Sequence, residues 1–149
     1  MPLTYKFKKE KLEDGSYVSR PRVLVTLKGS KTSIDIPALI DSGADTSVIP
    51  NQVAKPIGLN IEGEKTKIYT YLESTDVVRS KANFIFVGRV MRESVTLDNI
   101  PVLIDTLSSD DEEQEIILGV DGIFDNFDIT FKKSKNKIIF KRAIKIDYR

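Results

Sequence analysis

Pro37-Ala38-Leu39-Ile40-Asp41-Ser42-Gly43-Ala44-Asp45-Thr46-Ser47-Val48-Ile49-Pro50 is the stretch that decides how the chain is read. An apolar segment runs directly into Asp-Ser-Gly, and a second apolar pair follows. A carboxylate at the end of a buried strand is costly unless it is hydrogen-bonded or protonated. Gly43 leaves room for a backbone amide to approach that carboxylate, and Ser42 supplies a small hydroxyl that can bond across the turn. Asp, Ser and Gly are ordinary turn residues, so the tripeptide alone describes an Asx turn between two strands. The flanks separate this turn from an ordinary one, because Ala-Leu-Ile brackets it on one side and Val-Ile-Pro on the other.

Outward from this stretch the apolar residues recur with the strand period of two. Val23, Val25 and Leu27 alternate, as do Ile34 and Ile36, Phe84 and Phe86, and Phe127, Ile129 and Phe131. The runs Ala38–Ile40 and Ile116–Leu118 read as strands buried on both faces. Turn-rich breaks fall at Lys28–Lys31, Asp98–Asn99 and Ser134–Asn136. Helical signal is confined to Pro50–Ile57, with Pro50 suited to a first turn and Pro56 and Gly58 to an end, and to a turn or two in Asp121–Phe127. Many short strands with regular breaks indicate a closed barrel or sandwich. Residues 1–20, with Lys6, Lys8, Lys9 and Lys11, read as an N-terminal arm or extension. Ser108–Glu115 reads as an acidic, solvated loop.

Composition narrows the chemistry. The 149 residues fit one domain with tails, and 40% hydrophobic with 30% charged residues is the balance of a soluble globular protein. The absence of cysteine excludes disulfides, thiolate metal sites and cysteine nucleophiles. The absence of histidine removes the usual general base of serine and cysteine hydrolases and the commonest zinc ligand. Acid–base chemistry must then run on carboxylates, lysines or tyrosines. A net charge of +1, from 23 basic and 22 acidic residues, argues against broad attraction to nucleic acid or membrane. No apolar run is long enough to span a bilayer, and no apolar leader follows Met1, so the expected location is the cytoplasm.

Ile40-Asp41-Ser42-Gly43-Ala44-Asp45 resembles the active-site loop of the retropepsin-like aspartic peptidases. The second hallmark of that family, an apolar strand ending in Gly before a short helix, is similar to Ile116-Ile117-Leu118-Gly119-Val120-Asp121-Gly122. Phe124–Phe131 resembles the segment that follows in cellular and prokaryotic members, with Lys137–Phe140 as a closing strand, and Ile57-Gly58-Leu59 matches a common family segment. The resemblance covers about residues 20–142. It implies an all-β fold, a small closed β-barrel with one or two short helices, over residues 21–142. Residues 143–149 then form a tail that is a candidate dimer-interface strand.

The same resemblance implies a function. Asp41 would be the catalytic aspartate, Ser42, Gly43 and Ala44 the loop that holds it, and Asp45, Gly119 and the flap-tip residues Tyr71, Leu72, Glu73 and Ser74 the groups that meet a peptide or protein substrate. A flap hairpin is expected over Ile68–Lys81. The chemistry needs no metal and no cofactor. It needs two carboxylates, and the chain has one Asp-Ser-Gly. In Ile104-Asp105-Thr106-Leu107, Leu107 stands where Gly is required. A homodimer supplies the second Asp41 through a two-fold interface.

Three positions depart from the family pattern: Val120 stands where Arg is usual, the flap tip has no glycine, and Ser42 replaces the commoner Thr. Alternatives remain at this level. The same fold without hydrolysis would be a dimerisation or peptide-binding module. A metal-dependent phosphotransferase using Asp41 and Asp45 lacks a glycine-rich phosphate cradle. A nucleic-acid-binding barrel would want basic and aromatic residues interleaved, as in Tyr5-Lys6-Phe7-Lys8, but an edge strand reads the same way.

Overall fold

The structure, a computed structural model, describes residues 2–69, 71–88, 93–106 and 115–144. The chain opens with β1 (Leu3–Tyr5), β2 (Lys8–Lys11), β3 (Tyr17–Arg20), β4 (Arg22–Lys28), β5 (Ser33–Ile40) and β6 (Ser47–Pro50). Helix α1 (Asn51–Ile57) follows, then β7 (Lys65–Tyr69), β8 (Ser74–Val87), β9 (Ser94–Asp105) and β10 (Ile116–Leu118). A kinked turn, Val120–Phe124, leads to β11 (Phe127–Lys132) and β12 (Lys137–Arg142).

Seven strands pair in the order β4-β5-β10-β6-β9-β8-β7, and β4 also pairs with β8, closing six of them into a ring. The period-two residues explain the closure: Val23, Val25 and Leu27 on β4 and Phe84 and Phe86 on β8 all point inward and are fully buried. A second sheet, β1-β12-β11, covers one side of the ring. Phe86, Phe127 and Phe140 join the two, with ring centroids 5.1 to 5.5 Å apart, and each such contact adds about 0.5–1.5 kcal/mol beyond its buried area.

Several expectations are corrected. Ala38–Ile40 and Ile116–Leu118 are strands, but only their outer residues are buried, while Leu39 and Ile117 are half-exposed on the other face. Asp98–Asn99 does not break the chain. Asn99 takes φ 55° inside the long strand β9, its amide bonded to Asn83 Oδ1 at 2.8 Å, opposite a register shift between Ala82 and Phe84. Asn tolerates that conformation, so the strand bends there and continues. Pro50 is the residue before α1 rather than its first turn, and Gly58 closes the helix.

Residues 2–20 lie on the domain. β1 pairs with β12, with Leu3 opposite Phe140, and Leu3 is 2% exposed. The hairpin β2–β3 is tied down through Glu10, whose carboxylate meets Arg22 Nε at 2.6 Å. Arg22 reaches Glu115 at 2.7 Å with its other edge. Burial opposes the charge on Arg22, but the hydrogen bonds and charges of Glu10 and Glu115 outweigh it and hold its pKa above the ordinary value. Of the acidic run only Glu115 is described; residues 108–114 and the tail beyond 144 lie outside the described residues.

Candidate active site

β5 delivers Asp41 and β6 carries the chain away from it. Between these two strands sits β10, parallel to β5 (Ile116 opposite Ala38, Leu118 opposite Ile40) and antiparallel to β6 (Ile117 opposite Val48). The two apolar runs of the sequence are thus neighbouring strands, and the second hallmark segment lies directly beneath the Asp-Ser-Gly loop.

The loop is stitched to that segment by its backbone. Asp41 N–H donates to the Leu118 carbonyl at 3.0 Å, Val120 N–H to the Ala44 carbonyl at 2.8 Å and Asp121 N–H to the Asp45 carbonyl at 2.8 Å. Within the loop, Ala44 N–H donates to the Asp41 carbonyl at 3.2 Å. Gly43 N–H donates to Asp41 Oδ1 at 2.8 Å, which fixes the carboxylate's orientation. Gly119 N–H donates to Ser47 Oγ at 3.0 Å. A Cβ at Gly119 would stand 2.6 Å from the Thr46 carbonyl carbon and 2.7 Å from the Ala44 oxygen, so only glycine permits this approach.

A cleft of ≈ 580 Å³ opens over the loop, lined by Asp41, Gly43, Ala44 and Asp45, by Thr46, Val48, Leu103 and Ile117, and by Thr66–Tyr69 and Arg79 from the β7–β8 hairpin. Asp41 is half-buried there, while Ser42 and Asp45 are exposed. Among the described residues Asp45 makes no ion pair, in keeping with Val120 at the position after Gly119.

The hairpin pairs Lys65 with Val78 through Tyr69 with Ser74, so residues 71–73 lie in its turn, and it starts three residues before the expected Ile68. Tyr71 and Leu72 are 98% and 85% exposed at that turn. Ser74 opens β8, and Glu73 precedes it. The hairpin's contribution to the cleft wall comes from Thr66–Tyr69 and Arg79 instead. Gly119 is buried under the loop, where it positions the loop's backbone. Asp105 lies at the end of β9 beside Pro50, apart from the residues lining the cleft.

Sequence reading missed Thr46, Val48, Thr66, Lys67, Leu103 and Ile117 as cleft residues, while Ile68, Tyr69 and Arg79 fall within the flap hairpin expected over Ile68–Lys81 without being singled out. Ile117 had a signal, since it stands two residues before Gly119 on the strand under the loop. Leu103 had none, because it meets Arg79 only through the pairing of β8 with β9, where the two stand opposite one another.

A family model described as "Aspartyl protease" matches residues 23–121, which contain both the loop and the strand beneath it. The chain belongs to the aspartyl protease family. Among solved structures it is similar to a retropepsin-like aspartic protease from Rickettsia conorii, with a TM-score of 0.53 and 12% identity over 94% of this chain and 92% of that one. At that identity the likeness concerns the fold, and the fold is retropepsin-like. No curated protein sequence matches the chain.

Proposed function

We propose that this aspartyl protease is a homodimeric endopeptidase in which two Asp41 carboxylates, one from each subunit, activate a water for attack on a peptide bond. The observation that carries the reading is the held carboxylate: Asp41 stands in a cleft at the end of β5, with Oδ1 bonded to Gly43 N–H and the loop pinned through β10. Aspartic peptidase chemistry needs two carboxylates sharing one proton. The chain has a single Asp-Ser-Gly, and a two-fold axis beside the loop supplies its copy.

In that arrangement the ionised carboxylate takes a proton from the water as it attacks the carbonyl carbon. The protonated one hydrogen-bonds the carbonyl oxygen and stabilises the charge that develops there. The proton taken from water then goes to the leaving amine. Half-exposed apolar side chains at Val48 and Ile117 give a substrate's side chains an apolar wall. Asp41→Asn tests the reading: it preserves size and the Gly43 contact but cannot share the proton. Cleavage of peptides, followed by mass spectrometry, is expected to fall by at least about a thousandfold with circular dichroism unchanged. Retention of a tenth or more of the activity would place the chemistry elsewhere.

A further inference from the structure

The cleft carries a cation from the hairpin side. Arg79 on β8 lines it, opposite Leu103 in the ladder, together with Asp41 and an apolar surface of Val48, Leu103 and Ile117. The main chain of Arg79 is clamped. Its N–H donates to the Glu64 carbonyl at 2.8 Å. Gly63 passes so close that a Cβ there would stand 2.3 Å from the Arg79 oxygen. The side chain is held far less. Arg79 Nε lies 3.8 Å from Glu64 Oε2, with the two side chains 58% and 77% exposed. Lys67 stands opposite Asp76 in the ladder, on the other face of the hairpin from Arg79, with Nζ 3.6 Å from Asp76 Oδ1.

Ion pairs of this length between solvated groups contribute little and re-partner readily. Guanidinium is built for bidentate capture of a carboxylate, and its single long contact through Nε does not use that geometry. A carboxylate brought in by a bound peptide, against the apolar surface of the cleft, would form the stronger charge-assisted pair, because less water competes there.

We infer that Arg79 determines specificity, and that the cleft takes peptides carrying a Glu or Asp side chain near an apolar scissile segment. In the two-fold dimer each subunit contributes an Arg79, so an acidic residue is accepted on either side of the cut. This rests on the peptidase reading for the peptide nature of the substrate, and binding separates the two claims.

The probe is a series of fluorescein-labelled decapeptides with a Leu-Phe centre and one Glu walked through the other positions, each with its Gln twin. Binding to the full-length Asp41→Asn protein is read by fluorescence anisotropy. At one or more positions the Glu peptide is expected to bind about tenfold more tightly than its twin. Arg79→Gln, added to Asp41→Asn, should erase that difference, and Arg79→Glu should invert it in favour of a Lys peptide. Circular dichroism confirms that these exposed-site variants fold. Equal affinity for every pair of twins, no binding by any member, or a preference that survives Arg79→Gln would overturn the inference. Discrimination in binding without cleavage by the wild type would sink the peptidase reading and leave the role of Arg79 standing. Cleavage without discrimination would do the reverse.

Discussion

The amide of Gly119 donates a 3.0 Å hydrogen bond to the hydroxyl of Ser47, a side chain with no exposed surface. Ser47 begins β6, just past the Asp-Ser-Gly loop, and Gly119 directly follows β10 beneath it. The bond therefore ties the two hallmark segments together inside the core. Ser47→Ala would leave the Gly119 amide buried and unpaired, at a cost of about 1–3 kcal/mol. Urea denaturation checks this, and a midpoint equal to wild type would mean that another acceptor takes over. Gly119→Ala is expected to be worse for activity than for stability. Its Cβ must push the Ala44 and Thr46 backbone away, and with it the loop that orients Asp41.

The first twenty residues are predicted to be required for folding. Leu3 is in the core, the Tyr5 ring packs edge-on to Phe140 at 5.2 Å, and Phe7 N–H donates to Asn136 Oδ1 at 3.1 Å. Leu3→Ala should cost about 2–5 kcal/mol. A chain starting at residue 21 should lose the cooperative urea transition of the full chain. A truncated chain of undiminished stability would show instead that the segment is a detachable extension.

Asp14 offers a pH test of the β2–β3 hairpin. Hydrogen bonds from the Ser16 hydroxyl and then its amide, at 2.5 and 2.9 Å, hold the Asp14 pKa below its ordinary 3.8. A depressed carboxylate contributes stability above its unfolded value and loses it as pH falls through the folded one. The turn should therefore stay intact at pH 5 and loosen only below 3.8. The Ser16 amide shift by NMR reports this. A titration midpoint at or above 3.8 would contradict the bond.

Much of the fold was legible because buried strands impose a period of two. Val23-Val25-Leu27 and Phe84-Phe86 announced the ring, and the two apolar runs before Asp41 and Gly119 announced the site. What was not legible depended on pairing. Asn99 reads as a turn residue, yet here it bends a strand, because the neighbouring strand supplies Asn83 to cap its amide. Arg79 falls inside the expected flap hairpin, but only the register of β8 against β9 sets it opposite Leu103 at the cleft. The contacts that hold the arm were not legible for a related reason. One buried leucine and the ring contacts of Tyr5 with Phe140 and Phe7 with Phe131 anchor a segment rich in polar and basic residues.

Activity should pass through a maximum on the acid side of neutrality. The reaction needs one proton on the pair of carboxylates, so the doubly protonated and doubly ionised forms are both inactive. A kcat/KM profile with two limbs is the expected result for any peptide the protein cuts. A rate that climbs steadily through pH 8 would exclude a shared-proton pair.

Subunit mixing tests the shared active site most directly. Wild-type and Asp41→Asn proteins are combined in equal amounts, and the peptidase rate is followed while subunits exchange. With one Asp41 required from each subunit, every mixed dimer is inactive. Before exchange about half of the dimers are wild type, and random pairing leaves about a quarter. The rate should fall to about half that of the unexchanged mixture, with exchange verified by native mass spectrometry of a tagged variant. A rate that stays constant while mixed dimers form would contradict the shared pair and show that each chain carries a complete active site.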